Sequence, residues 1–276
     1  MKCFYHDSDL DGRCSGAIIK YEYTDCEMIG INYGNEFPWD IIEKDETVFM
    51  VDFCLQPFGA MDRLALNCNL VWIDHHKSAI EEYGTHRSID GLRKIGIGAC
   101  ALVWEFLYPQ RSIPYGIQML AEYDVWNHKN PETLPFQYGM RIENTWPDSY
   151  MWSTLFSYNN TNFINKKIAE GSAILKYVDQ SNKLYAKGGY FLTEFEGYKC
   201  MVINKALANS QLFDSVKNEN EDIKIAFSWR KGTWNFSLYS KTVDVSKIAM
   251  KYGGGGHEGA AGFQSKEIPF KLTGIY

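Results

Sequence analysis

No two of the seven cysteines stand in a CxxC spacing: Cys3, Cys14, Cys26, Cys54, Cys68, Cys100 and Cys200 are scattered and odd in number. Disulfide frameworks and structural zinc sites need paired spacing, so neither is expected, and most of the thiols read as small buried hydrophobes. No apolar run approaches the roughly 18 residues that a membrane helix needs. The opening MKCFYHDSDLDG has no apolar stretch between a basic start and a small-residue cleavage site, so no secretory leader is expected. These absences point to a cytoplasmic protein without a membrane partner. Positive charge is not in excess either: 28 Lys and Arg stand against 34 Asp and Glu, a net charge of −6. Broad binding to a long duplex relies on a basic surface that displaces counterions, and that bias is missing here. A short or small phosphorylated partner fits better. There is no internal repeat and no low-complexity segment.

Hydrophobic residues make up 45% of 276 positions, enough for two modest cores. The first half alternates strand-like and helix-like runs. Residues 2–6, 26–32, 47–53 and 69–74 read as strands. CSGAIIKYEY, the stretch from Pro57 to Asn67, and residues 97–107, with Ala99, Leu102, Val103 and Phe106 at helical spacing, read as helices. Such alternation predicts an α/β fold: a mainly parallel sheet with helices on both faces, over residues 1–161. Ile164, Ile168, Leu175 and Val178 predict a linking helix over 162–187, ended by the glycine pair 188–189. FLTEFEGYKCMVIN, DIKIAFSWR and TWNFSLYS then read as strands with turns at EG and KG, followed by a helical VSKIAMKY. Residues 188–276 are therefore expected to form a smaller α+β domain.

Four clusters carry chemistry, and three fall at strand ends, where open parallel sheets bind ligands. Asp7, Asp9 and Asp11 alternate in a short loop before Gly12, and carboxylates so crowded call for a divalent cation. Asp52 ends the third strand, Asp74-His75-His76 end the fourth, and Asp124 lies near the end of a helical segment. Singly, an Asp at a strand end is more often a cap or turn former. Four such clusters on successive elements of one sheet point to a metal site. The run Gly253 to Gly256 has no side chains, so its N–H groups can approach a phosphate closely, and His257 can donate to it.

HDSDLDGRCSGAII, VDF, WIDHHKSA and EYDVW resemble, in order and spacing, the four motifs of the DHH phosphoesterases. That family includes RecJ-type exonucleases, nanoRNases and cyclic-dinucleotide phosphodiesterases. GGGGHEGAAGF is similar to the loop of the DHH-associated C-terminal domain. The resemblance implies two metal ions, manganese first with magnesium or cobalt as alternatives. It places Asp7 and Asp9 on one ion, Asp11, His75 and Asp124 on the other, and Asp52 between them. Many small-substrate members have histidine where this chain has Asp7, and His6 stands beside it. Asp52, His75 and His76 are the implied catalytic residues, with His76 next to the ligands or the phosphate. Gly254, Gly255, Gly256 and His257 are the implied substrate-binding residues.

The expected activity is a two-metal phosphodiesterase or exonuclease acting on short oligonucleotides or dinucleotides. Rival readings are a phosphatase acting on a bisphosphonucleotide, a nucleotide-binding module without turnover, and a pyrophosphatase. The last ranks lower because it usually carries a basic cluster in place of a GGGGH loop. Some family members have a strand arginine where this chain has Tyr239, which reads as packing before base stacking. Arg230 and Lys231 read as hairpin turn residues, and His128 as a surface or capping residue. Trp72, Trp104 and Trp126 are expected in core elements.

Overall fold

The computed structural model describes residues 1–84, 86, 88–127, 129–157, 159–216 and 220–272. His128 lies outside them. The chain divides into two compact units, Met1–Leu175 and Lys176–Tyr276.

The first unit is built on a four-stranded parallel sheet. In chain order the elements are β1 (Lys2–His6), α1 (Leu10–Glu22), β2 (Glu27–Ile31), β3 (Thr47–Val51), α2 (Gly59–Asn67), β4 (Asn69–Ile73), α3 (Lys77–Tyr83), α4 (Ala99–Leu107), α5 (Tyr115–Asp124), α6 (Thr133–Met140) and α7 (Tyr150–Phe156). The strand order is β2-β1-β3-β4, and every pairing is parallel.

Strand side chains alternate between two apolar layers. Cys3, Tyr5, Phe49, Val51 and Ile73 face α1, α4 and α5. Phe4, Val48, Met50, Leu70 and Trp72 face α2 and α3. A parallel sheet covered on both faces needs such near-continuous apolar strands, and these have them.

From β1 the chain turns to β2 on one side and later places β3 on the other. The carboxyl ends of β1 and β3 therefore flank the point where the strand order reverses, the position at which open α/β sheets leave a crevice.

Helix α1 starts four residues earlier than the sequence suggested. Asp9 caps it, its Oδ1 accepting the Gly12 N–H at 3.0 Å. The glycine in the first turn is what makes this entry possible, because a Cβ on Gly12 would lie 2.1 Å from the His6 carbonyl oxygen. Trp72 and Trp104 are buried as expected, but Trp126 is 54% exposed. It follows α5 in a turn with φ 56°, a conformation that ends the helix and directs the ring outward.

Helix α8 spans Thr161–Gly189, and the division between the units falls inside it. The second unit then contains β5 (Tyr190–Phe195), β6 (Tyr198–Asn204), β7 (Ile223–Arg230), β8 (Thr233–Tyr239), α9 (Val245–Lys251), β9 (Gly255–His257) and β10 (Ala260–Ser265). They form a mixed sheet of order β5-β6-β7-β8-β10-β9. Val202, Ile225, Leu238 and Phe263 pack with α9 on one face, while Met201, Ile203 and Ala226 pack with Phe213 on the other. Lys231 and Gly232 both take the left-handed conformation that a two-residue hairpin requires. No helix among the described residues is long and apolar enough to cross a membrane.

Candidate metal centre

At the carboxyl edge of the parallel sheet, His6 closes β1, Asp52 follows β3, and Asp74, His75 and His76 follow β4. Asp9 and Asp11 come from the entry to α1, and Asp124 is the last residue of α5. Three groups place nitrogen and carboxylate oxygen atoms within 4.8 Å of one another: His6, Asp9 and Asp52; Asp11, His75 and Asp124; and Asp52 with Asp74, His75 and His76.

Asp52 stands between the first two groups. Its Oδ2 is 3.6 Å from His6 Nδ1, and its Oδ1 is 3.2 Å from His75 Nε2. On the outer sides, His6 Nδ1 is 3.1 Å from Asp9 Oδ2, and His75 Nε2 is 3.2 Å from Asp124 Oδ2 and 3.8 Å from Asp11 Oδ2. The backbone at Asp52 is left-handed, φ 54°, while its N–H is anchored on the Ile73 carbonyl at 3.0 Å. Such a conformation costs a non-glycine residue about 1–2 kcal/mol and persists where surrounding structure imposes it.

Two carboxylates beside the centre are organised by backbone. Asp11 is 2% exposed, and its oxygens accept the N–H groups of Ala99 and Cys100 at 2.6 and 2.9 Å, at the N-terminus of α4. A cluster of like charges is tolerated more easily where a helix N-terminus offsets one of them. Asp74 is fully buried. Its Oδ1 accepts from the His75 and His76 N–H groups and pairs with His76 Nδ1 at 2.7 Å, while Oδ2 accepts from the Trp72 indole at 3.2 Å. Its Oδ1 thus holds the two histidines in place, and its Oδ2 ties the cluster to Trp72.

Asp7, expected among the ligands, lies in none of the three groups. Its Oδ1 faces Arg13 Nε at 3.3 Å, and His6 supplies the nitrogen beside Asp9 and Asp52. The sequence left His6 as the neighbour of Asp7. His6 is the last residue of β1 and Asp7 the first beyond it, so the turn after the strand, with Arg13 taking Asp7, decides which of them faces the centre.

The electrostatics are those of a site built for cations. Burial pushes the Asp11 carboxyl up, neighbouring Asp52 pushes it further, and it reaches about 7. Burial and then Asp11 and Asp52 hold Asp124 well above the usual carboxylate range. Burial opposes the charged form of Asp52, but the imidazoles of His6, His75 and His76 crowded against it outweigh that and hold the carboxyl low. Burial opposes charge on the histidines too, yet the carboxylates raise His6 and His75 to about 10 and His76 to about 9. The carboxylates thus favour positive charge on the imidazoles that face them.

The donor set fits divalent cations. His6 Nδ1, Asp52 Oδ1 and His75 Nε2 are buried and make no hydrogen bond within the described residues. Buried polar atoms are rarely left so, and a metal ion is one of the partners that resolve the cost. Imidazole and carboxylate donors without a thiolate suit a divalent cation better than a soft one.

The glycine-histidine segment belongs to the second unit. Gly255, Gly256 and His257 form β9 against Ala260–Ser265, and they are exposed. Gly253 and Gly256 have φ 75° and 140°, and a Cβ on Gly254 would lie 2.1 Å from the Gly262 carbonyl oxygen, so glycine is required at each. The segment is thus partly strand, where the sequence suggested a loop. Tyr239 donates its hydroxyl to the Ala208 carbonyl at 3.0 Å, which accounts for it as packing.

No protein-family model matches the chain. It is 26% identical over 288 residues to uncharacterized protein R106 of Acanthamoeba polyphaga mimivirus; that match covers 94% of this chain and 66% of the mimivirus protein, so the chain spans just under two thirds of its relative. Among solved structures it is similar to the DHH domain of a protein described as belonging to a family of ribosomal proteins, with 12% identity, TM-score 0.56, and 95% and 81% of the two chains covered. It is also similar to the pGpG-specific phosphodiesterase PggH of Vibrio cholerae, with 15% identity, TM-score 0.53, and 95% and 92% covered. The parallel sheet with both faces covered, the mixed second sheet and these likenesses agree: the chain has a DHH-family fold.

Proposed function

We propose that the chain is a two-metal phosphoesterase that hydrolyses phosphoester bonds in short oligonucleotides or dinucleotides. The observation that carries this reading is the set of buried donor atoms without hydrogen-bond partners, His6 Nδ1, Asp52 Oδ1 and His75 Nε2, among carboxylates at strand ends. His6, Asp9 and Asp52 would hold one ion, and Asp11, His75 and Asp124 the other, with Asp52 shared. His6 takes the place that the sequence gave to Asp7. Divalent cations so held supply Lewis acidity to a phosphate and lower the pKa of water.

The chain's own groups account for the rest. Asp74 orients His76 through Nδ1, so His76 is held at the edge of the centre, where an imidazole suits a phosphate oxygen. The backbone of Gly254, Gly255 and Gly256, together with His257, is assigned to a substrate phosphate. A dinucleotide-sized substrate accords with the net charge of −6 and with the specificity of the Vibrio enzyme for pGpG.

The test is hydrolysis of a labelled RNA dinucleotide with manganese by the wild type, Asp52→Ala and His257→Ala. The reading expects product from the wild type, none from Asp52→Ala, and weakened substrate binding by His257→Ala. A bisphosphonucleotide and a long single strand run in parallel. Phosphate release from the bisphosphonucleotide alone would move the assignment to a nucleotide phosphatase. Tight dinucleotide binding with no product from any substrate would leave a binding module.

A further inference from the structure

Beside the metal centre lies a cleft of about 310 Å³, and its walls differ in charge. Asp9, Asp11 and Asp124 form the side that belongs to the centre; Arg13, Gln137 and Arg141 line it as well. The two arginines are not equivalent. Arg13 is already spent: its Nε lies against the Asp7 carboxylate, its Nη1 donates to Thr145 at 2.8 Å, and its guanidinium stacks on Trp146. Arg141 has no carboxylate within ion-pair distance among the described residues. It donates through Nη2 to the Tyr123 hydroxyl at 2.9 Å, and its guanidinium sits 4.8 Å from the ring centre of Tyr138. These contacts hold the guanidinium in place without pairing it directly to a carboxylate among the described residues.

Gln137 gives an independent reason to regard the cleft as built for a ligand. It is 3% exposed, it sits on α6 one turn before Arg141, and its Oε1 has no hydrogen-bond partner among the described residues. An amide buried in that condition costs stability unless something in the cleft pairs with it. The amide offers one acceptor and two donors, so it pairs with a neutral polar group such as a sugar hydroxyl or a base edge. The cleft has the volume of a small-ligand site.

Resting on the phosphoesterase reading, we infer that this cleft is a specificity subsite for a second phosphate of a nucleotide substrate, with Arg141 taking the charge and Gln137 the adjoining polar group. The ions would meet the scissile phosphate on the acidic side. Arg141 would meet a terminal phosphate on the other. Substrates with a single, scissile phosphate would then bind without its help.

The test is calorimetric binding of three diribonucleotides, one with a 5′-phosphate, one with a 3′-phosphate and one with neither. Calcium is present to fill the acidic centre. Wild type is expected to prefer one phosphorylated form. Arg141→Ala should weaken that form by about tenfold to a hundredfold and leave the unphosphorylated one unchanged, while Arg141→Lys restores part of the loss. Gln137→Leu, which keeps volume but not hydrogen bonding, should weaken all three, with circular dichroism confirming that it folds. An equal effect of Arg141→Ala on all three ligands, no effect on any, or a preference that disappears in His257→Ala and persists in Arg141→Ala would overturn the subsite. Hydrolysis with manganese is read separately. Turnover without the Arg141 effect sinks the subsite alone, whereas discriminating binding without turnover sinks the phosphoesterase reading and leaves the subsite standing.

Discussion

His75 Nε2 and Asp52 Oδ1 lie 3.2 Å apart, both buried, and neither makes a hydrogen bond within the described residues. Two buried donor atoms so close, with no hydrogen bond between them, are placed to face one common partner. That pairing, and the groups that hold it, can be tested one at a time.

Removing the shared carboxylate should remove the response to metal. Manganese added to metal-free protein at about a hundredfold excess over its dissociation constant should stabilise the wild type by on the order of 2.7 kcal/mol. Asp52→Asn should lose most of that gain, because its neutral amide cannot serve both histidine groups. Thermal unfolding with and without manganese measures it. An equal gain in Asp52→Asn would remove Asp52 from the ligand set.

Metal-free protein should lose stability as pH rises. His6 and His75 are raised from 6.5 to about 10 and His76 to about 9 in the folded state. A raised folded pKa means that the contribution is complete below 6.5 and is lost as pH climbs through 9 to 10. The melting temperature in chelator should fall across this window. With manganese present the fall should shrink, since the cation replaces the protons. A chelated protein whose melting temperature is flat from pH 6.5 to 10 would contradict the assignment.

Asp74 should behave as a positioning residue. Asp74→Ala leaves the His75 N–H buried without its acceptor and takes one acceptor from the Trp72 indole, at about 1–3 kcal/mol for each unsatisfied group. Urea unfolding should show that loss, and metal affinity should drop by about 10- to 100-fold as the histidines lose their orientation. Asp74→Asn, which keeps an acceptor oxygen, should recover more stability than metal affinity.

Gly98 should be intolerant of any side chain. A Cβ there would lie 2.6 Å from Ala121 Cα and 2.9 Å from Asp11 Oδ1. Gly98→Ala is therefore expected to cost about 1–3 kcal/mol and to displace the Asp11 carboxylate from the start of α4. Calorimetry should find weaker metal binding in a protein whose circular dichroism is unchanged. Metal affinity equal to wild type would show that Asp11 is not held through this contact.

Much of the frame was legible because it rests on short-range patterns. The apolar runs at 2–6, 47–53 and 69–74 are strands buried on both faces, and such strands need little beyond their own composition to be recognised. The carboxylates and histidines at their ends were legible for the same reason, since a parallel sheet delivers every strand end to one edge. Helices α3, α6 and α7 were not legible. They are seven or eight residues long, too short for periodicity to separate them from loop, and packing stabilises them.

Chain order and strand polarity are enough to gather acidic and imidazole groups at one edge of an α/β sheet, and both are written in the order of the residues. Which of two adjacent residues, His6 or Asp7, joins Asp9 and Asp52 is settled by the folded chain, because the choice depends on how the backbone turns after β1 and on Arg13 being in place to take the other. Folding also brings Asp11 to the N–H groups of Ala99 and Cys100, nearly 90 residues away, and lines one cleft with Gln137, Arg141 and Asp124. Contacts between distant segments form only when helices pack on the sheet, and no local pattern of residues records them.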